Sequence, residues 1–285
     1  MDSQATTTAS MGNRAEVVIE PGYSGRKYWH DLWRYRELLV ILGWRDIAVR
    51  YKQTFLGVAW AALRPLLTMA AFTLVFSRLA GLSSDGGVPY PLMVFAAMLP
   101  WYFFASAMTG ASESLVENAN LVSKVYFPRL LVPAAAIAVA AADFAVAVGV
   151  MFALMLLYQF QPSLQILAVL PLALLTGVLA LGPGLMLCAL NVTYRDFRYV
   201  VPFATQFGLY VSPVGFSSAI VPDRFRFVFE LNPMVGIIDG FRWALLGASG
   251  FPARSLAISV VACMLLLYLG LSRFRAAERR FADII

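Results

Sequence analysis

One carboxylate, Asp143, stands inside a long apolar run, and it is the first residue to question. An ionisable group in such a setting is costly to desolvate, so it marks either a functional site or a hydrogen-bonded contact between helices. Both readings stay open from the sequence. Hydrolytic and redox chemistry have little else to work with. The single histidine, His30, precedes an aromatic and basic stretch and reads as a surface residue. The two cysteines, Cys188 and Cys263, fall in apolar segments without metal-ligand spacing and read as small buried side chains. No glycine-rich fingerprint is present, and none of Lys27, Lys52 and Lys124 follows a glycine, so there is no phosphate-binding loop. No catalytic residue and no metal site is expected. If ATP drives this protein, another chain binds it.

Aromatic side chains form the second chemical group. Trp60, Trp101, Tyr102, Phe103, Phe104, Phe207 and Tyr210 offer flat faces on which the apolar sides of sugar rings can stack. The same residue types also anchor membrane proteins at the interface, and both uses remain open.

The elements that must position these residues are helices in lipid. Apolar residues make up 60% of the chain and charged ones 13%, against roughly a quarter in soluble domains. Between Asp143 and Arg195 lie 51 residues without a charge. A crossing takes about 20 apolar residues, so this stretch alone holds two. The whole chain predicts an all-α integral membrane protein with six transmembrane helices, near 56–80, 91–112, 130–158, 166–190, 200–220 and 255–272. Arg64 and Arg78 fit the first crossing if both lie near its boundaries and snorkel outward. Residues 1–26 read as a flexible tail without a cleavable signal. Residues 27–54 read as a cytoplasmic amphipathic helix in the interface, its face formed by Leu38, Ile41, Trp44, Ala48 and Tyr51. The membrane domain then covers 55–273, and 274–285 form a tail.

The 22 basic residues set the orientation. With both termini in the cytoplasm, 17 lie inside and five outside, and the short loops agree with the rule that positive charge stays in. The charges sit at segment ends, which argues for a membrane and against nucleic acid as partner. No internal repeat is visible.

Several stretches resemble the membrane subunit of bacterial polysaccharide ABC exporters, the O-antigen, capsule and teichoic-acid group of the ABC-2 permeases. They are Arg45-Asp-Ile-Ala-Val-Arg-Tyr-Lys-Gln-Thr-Phe-Leu-Gly-Val-Ala-Trp60 with Arg64-Pro65, Leu99-Pro-Trp-Tyr-Phe-Phe104, and Asn118-Ala-Asn-Leu-Val-Ser-Lys-Val-Tyr-Phe-Pro-Arg129. Leu190-Asn-Val-Thr-Tyr-Arg-Asp196, Ser212-Pro-Val-Gly215, and Leu231-Asn-Pro-Met234 with Gly240-Phe-Arg-Trp-Ala-Leu-Leu-Gly247 complete the set. The resemblance implies a homodimer in the bacterial inner membrane, seated on two copies of a separate ATPase that binds ATP and Mg, and a lipid-linked polysaccharide as substrate. It implies a coupling helix that contacts the ATPase, matching Glu117, Asn118, Asn120, Lys124, Phe127 and Arg129, and a second contact at Tyr194, Arg195 and Asp196. It also implies short re-entrant helices before the last span, matching Leu231 to Leu246. An ABC-2 exporter of small molecules or lipids, a secondary carrier in which Asp143 titrates, and a membrane glycosyltransferase are the competing classes.

Overall fold

The computed structural model describes residues 25–52, 57–194, 196–247 and 250–284. The expected tail, up to residue 24, and Arg195 lie outside the described residues. Within them the chain is helical, with eleven α-helices and no strand. Five helical segments are long and apolar enough to cross a membrane: Ala59–Leu79, Tyr90–Glu117, Leu131–Leu157, Leu164–Thr193 and Ala253–Glu278. They match the first four and the last of the expected crossings. The first consists of α3 (Gly57–Phe72) continued by a π-helical stretch, Thr73–Leu79. The others are built on α4 (Tyr90–Glu117), α6 (Leu131–Leu157), α7 (Val169–Thr193) and α11 (Ala253–Ile284). Proline in the first turn, where its missing N–H costs nothing, starts α4 at Pro91.

The remaining expected crossing, over 200–220, is not one long helix. Here α8 (Phe197–Val211) has 15 residues, about 22 Å at the helical rise, and stops at Ser212 in extended conformation. Pro213 and Gly215 explain why the helix ends, and tertiary contacts hold the chain in its new path. The buried guanidinium of Arg242 donates to the carbonyls of Val214 (3.3 Å) and Phe216 (3.1 Å). Tyr90 donates its hydroxyl to the Gly215 carbonyl. Two short helices follow, α9 (Asp223–Glu230) and α10 (Pro233–Leu246), the latter capped by the Asn232 side chain on the Met234 N–H (3.0 Å).

The amino-terminal region also departs from expectation. It forms two helices, α1 (Gly25–Arg34) and α2 (Arg36–Lys52), with a break at Tyr35. Ile41 and Trp44 of the expected interface-facing side are exposed, and Leu42 and Gly43 pack on the other side against α6. The alanine-rich start of α6 explains that close packing. Its smooth surface lets the backbone of α2 come close, so that a Cβ on Gly43 would lie 3.1 Å from that of Ala138.

Helix α4 is the centre of the bundle, with every residue from Leu92 to Trp101 buried against α6, α7 and α10. Lipid provides no hydrophobic drive between helices, so close packing must hold them together. The tightest approach is at Gly182 of α7 and Gly270 of α11. A Cβ on Gly182 would sit 2.6 Å from the Leu266 carbonyl carbon, and one on Gly270 would overlap the Gly182 carbonyl. Gly270→Val is therefore expected to cost about 3 kcal/mol, the upper range of overpacking effects. The check is a thermal melt of the purified protein in detergent, where an unchanged midpoint would refute the contact. Both cysteines are buried free thiols, as their setting predicts.

Candidate transport path and coupling loop

A large cavity, about 870 Å³, is bounded by α2, α3, α4, α6 and α8. Along α4 it extends from Glu117 to Trp101, about 24 Å of helix. Aromatic and hydroxyl groups form its deep part. Tyr102 donates its hydroxyl to Thr68 (2.8 Å), and the Arg64 guanidinium lies over the Tyr102 ring, 5.3 Å from its centre. Arg64 thus faces a cavity, where the sequence suggested outward snorkelling. Trp101 is only 5% exposed because α8 rests on it: a Cβ on Gly208 would meet the indole at 2.7 Å. Tyr210 lines the same wall, its ring 6.4 Å from that of Phe72.

The expected aromatic set therefore divides. Trp101, Tyr102 and Tyr210 share the large cavity. Trp60 and Phe103 line a neighbouring one of about 370 Å³ with Tyr102, and Phe103 also packs on Phe144 at 5.0 Å. Phe104 sits beside Trp101 at 5.9 Å. Phe207 stands apart, 61% exposed and stacked on Phe203.

Asp143 borders the smaller cavity and holds α2 onto α6. Its two oxygens take the Tyr51 hydroxyl (2.6 Å) and the Arg50 guanidinium (2.6 Å). Burial first, and then the bond to Asp143, push the Tyr51 phenol up to about 12, so it remains a donor. This is the helix-contact alternative for the carboxylate, made by residues 92 positions apart. Asp143→Ala is expected to release the end of α2, at a cost of about 2 kcal/mol for bonds to a charged group. Faster hydrogen exchange over 44–52 would report it, and unchanged exchange would contradict the latch. Asp143→Asn, which can still accept from Tyr51, should show a smaller effect.

At the mouth of the large cavity, α4 ends on Asn118. The Asn118 side chain donates to the Ser114 carbonyl (2.9 Å) and accepts from Arg45 of α2 (2.6 Å). A short helix, α5 (Ala119–Lys124), follows. Glu117, Asn120 and Lys124 are exposed around it, and so are Tyr194 and Asp196 at the junction of α7 and α8. Phe127 and Arg129 behave differently. Phe127 is buried, and Arg129 reaches the carboxy-terminal part of α11. The Arg129 guanidinium donates to the Glu278 carbonyl (2.6 Å), its backbone N–H donates to the Glu278 carboxylate (3.2 Å), and it lies 5.9 Å from the Phe281 ring centre. Residues expected to act together thus separate into a projecting group and an anchoring group.

The anchor itself escaped the sequence reading, which treated 274–285 as a tail. Helix α11 runs on to Ile284, with Phe274 and Phe281 fully buried. Tyr28 of α1 packs there too, under the Arg275 guanidinium at 4.9 Å. Burial and the nearby Glu278 raise its phenol well above the ordinary value. The signal was present: Phe274, Glu278 and Phe281 recur at helical spacing on one face. Arg242, within the stretch matched to the re-entrant helices, is a buried donor flanked by Phe241 and Trp243.

A third cavity, about 600 Å³, lies at the opposite end between α9, α10 and the start of α11. Glu230 is its pivot, taking Arg226 at 3.3 Å and Arg254 at 3.2 Å. Ser218 donates to Asp239 (2.8 Å), which also lies 3.9 Å from Arg242. Phe229 and Phe251 supply aromatic wall.

Five long apolar helices, four of them around α4, together with these cavities define a multi-pass membrane protein of transporter type. Residues 37–246 match the family described as ABC-2 type transporter, and the chain belongs to that family. Its relatives include the O-antigen export system permease protein RfbA of Klebsiella pneumoniae, 26% identical over 251 residues, 87% of this chain and 95% of that protein. RfbA of Myxococcus xanthus is 26% identical over 90% of this chain and 98% of its own length. The polysialic acid transport protein KpsM of Escherichia coli is 23% identical over 82% and 91%.

Proposed function

We propose that this chain is the transmembrane subunit of an ATP-driven exporter that moves a lipid-linked, O-antigen-like polysaccharide across the bacterial inner membrane. The observation that carries the reading is the cavity lined by Trp101, Tyr102 and Tyr210 that opens beside Glu117 and Asn118, in a chain matched almost end to end by O-antigen export permeases. Rings stack on sugar faces without selecting one sugar, so a polymer can advance past them.

Two copies pair, with the exposed aromatic residues of α8 toward the shared path. Two copies of a separate ATPase subunit bind ATP and Mg on the cytoplasmic side, where both termini lie. Helix α8 and the extended segment after it make the sixth crossing, α9 and α10 are the re-entrant pair, and α1 with α2 lies at the cytoplasmic interface. The exposed Lys124 and Asn120 on α5, with Tyr194 and Asp196, meet the ATPase. Closure of the ATPase pushes α5, and two attachments pass the motion on. Asn118 pulls Arg45 and thereby α2, while Arg129 carries the load to α11.

Deletion of the gene in its host tests the reading. Surface glycan should disappear while lipid-linked glycan accumulates inside, and tagged protein should copurify with an ATPase subunit. Normal surface glycan in the deletion strain would refute it.

A further inference from the structure

Family membership leaves the charge of the polymer open, since the relatives include both an O-antigen permease and a polysialic acid transport protein. The cavities carry information on that point. In the two neighbouring cavities, which share Arg50, Arg64 and Tyr102, those two arginines stand against Asp46, Glu113, Glu117 and Asp143, two positive charges against four negative. Two further arginines face these acids: Arg45 bonds Asp46 at 2.7 Å, and Arg198 acts on Glu113. Including them, the balance among the described residues is four against four. The third cavity has Arg226, Arg242 and Arg254 against Asp223, Glu230 and Asp239, three against three. Neither end has an excess of positive charge.

Much of this charge is already paired. Arg50 is held by Asp143, and Arg226 and Arg254 converge on Glu230. A carboxylate on every repeat would lose its water in such a path without an excess of cations to replace it. Like charges 5 Å apart repel by about 3 kcal/mol at an effective dielectric constant near 20. Uncharged sugars meet no such barrier. Their hydroxyls find Thr68, Thr109, Ser217 and Ser218, and their faces find Tyr102, Tyr210 and Phe251.

We infer that the exported glycan has a neutral repeat unit, and that the balanced charge of the path discriminates against acidic polysaccharides. The inference rests on the exporter reading above. It concerns the repeating sugars and not the phosphate of the lipid carrier, which passes once.

The test uses the complete transporter, this chain with its ATPase subunit, in lipid vesicles. It is offered two glycans of equal length on the same lipid carrier, one of neutral hexoses and one bearing a carboxylate on each repeat. ATP-dependent translocation of the neutral glycan is expected to be at least about tenfold faster, the factor that one uncompensated 1.4 kcal/mol makes. Glu113→Arg should narrow that ratio by improving the acidic glycan. Equal or faster movement of the acidic glycan, or a ratio that Glu113→Arg leaves unchanged, overturns the inference and leaves the exporter reading standing. If neither glycan moves with ATP, the exporter reading falls and the inference falls with it.

Discussion

Arg129→Glu is expected to abolish the proposed ATP-driven export while the protein still inserts and folds its five long helices. Arg129 fixes the end of the α5 loop to α11 by a charge-assisted bond to the Glu278 carbonyl and by contact with Phe281. Bonds of this kind are worth about 2 kcal/mol. The variant loses them and places a second carboxylate beside that of Glu278, so the anchored end of the loop is expelled. ATPase closure then moves a loop that no longer pulls on the bundle. Hydrolysis should continue, with glycan translocation reduced to background. Lys124→Glu provides the contrast, because Lys124 projects from α5 with its side chain exposed. That reversal should leave the thermal midpoint of the isolated protein unchanged and weaken its complex with the ATPase. Wild-type translocation by Arg129→Glu, measured beside its ATPase rate, would remove α11 from the coupling path.

Arg242→Met should have the largest effect on stability. The guanidinium is 5% exposed and donates to Val214, Phe216 and, at 3.4 Å, to the Met93 carbonyl, with Asp239 close by. Removing it leaves carbonyls of the segment after α8 buried without their donor and Asp239 without its neighbouring charge. Losses of this type cost about 3 kcal/mol or more. The midpoint of unfolding in detergent should fall by several degrees, and protease should cut first within 212–220. Arg242→Lys should not restore stability, because a single ammonium cannot reach acceptors that the planar fork spans. A full rescue by lysine would show that charge alone, and not the shape of the guanidinium, holds this turn.

What the sequence made legible follows from lipid. Long uncharged runs can bury their backbone only as helices, so five of the long segments matched their expected limits closely. The misjudged elements depend on partners distant in the chain. Helix α2 turned toward α6 because Gly43 meets Ala138, a fit that no period within α2 encodes. Helix α8 stopped early because Arg242 and Tyr90 satisfy the carbonyls beyond it. The last turns of α11 looked like a charged tail, yet Arg129, 149 residues earlier, bonds Glu278 there. The candidate site divided for the same reason. Residue types marked candidate sugar-facing rings and loop charges, but only packing separated Phe207 from Trp101, and Arg129 from Lys124.

Passage of glycan through this chain at the expense of ATP bound elsewhere can be followed with radiolabelled lipid-linked glycan in vesicles holding this chain and its ATPase subunit. Glycan should cross only when both subunits and hydrolysable ATP are present, and Tyr102→Ala, which strips the ring from the cavity wall, should slow the crossing. Equal crossing without ATP or without the partner subunit would show that this chain is not part of an ATP-driven glycan exporter.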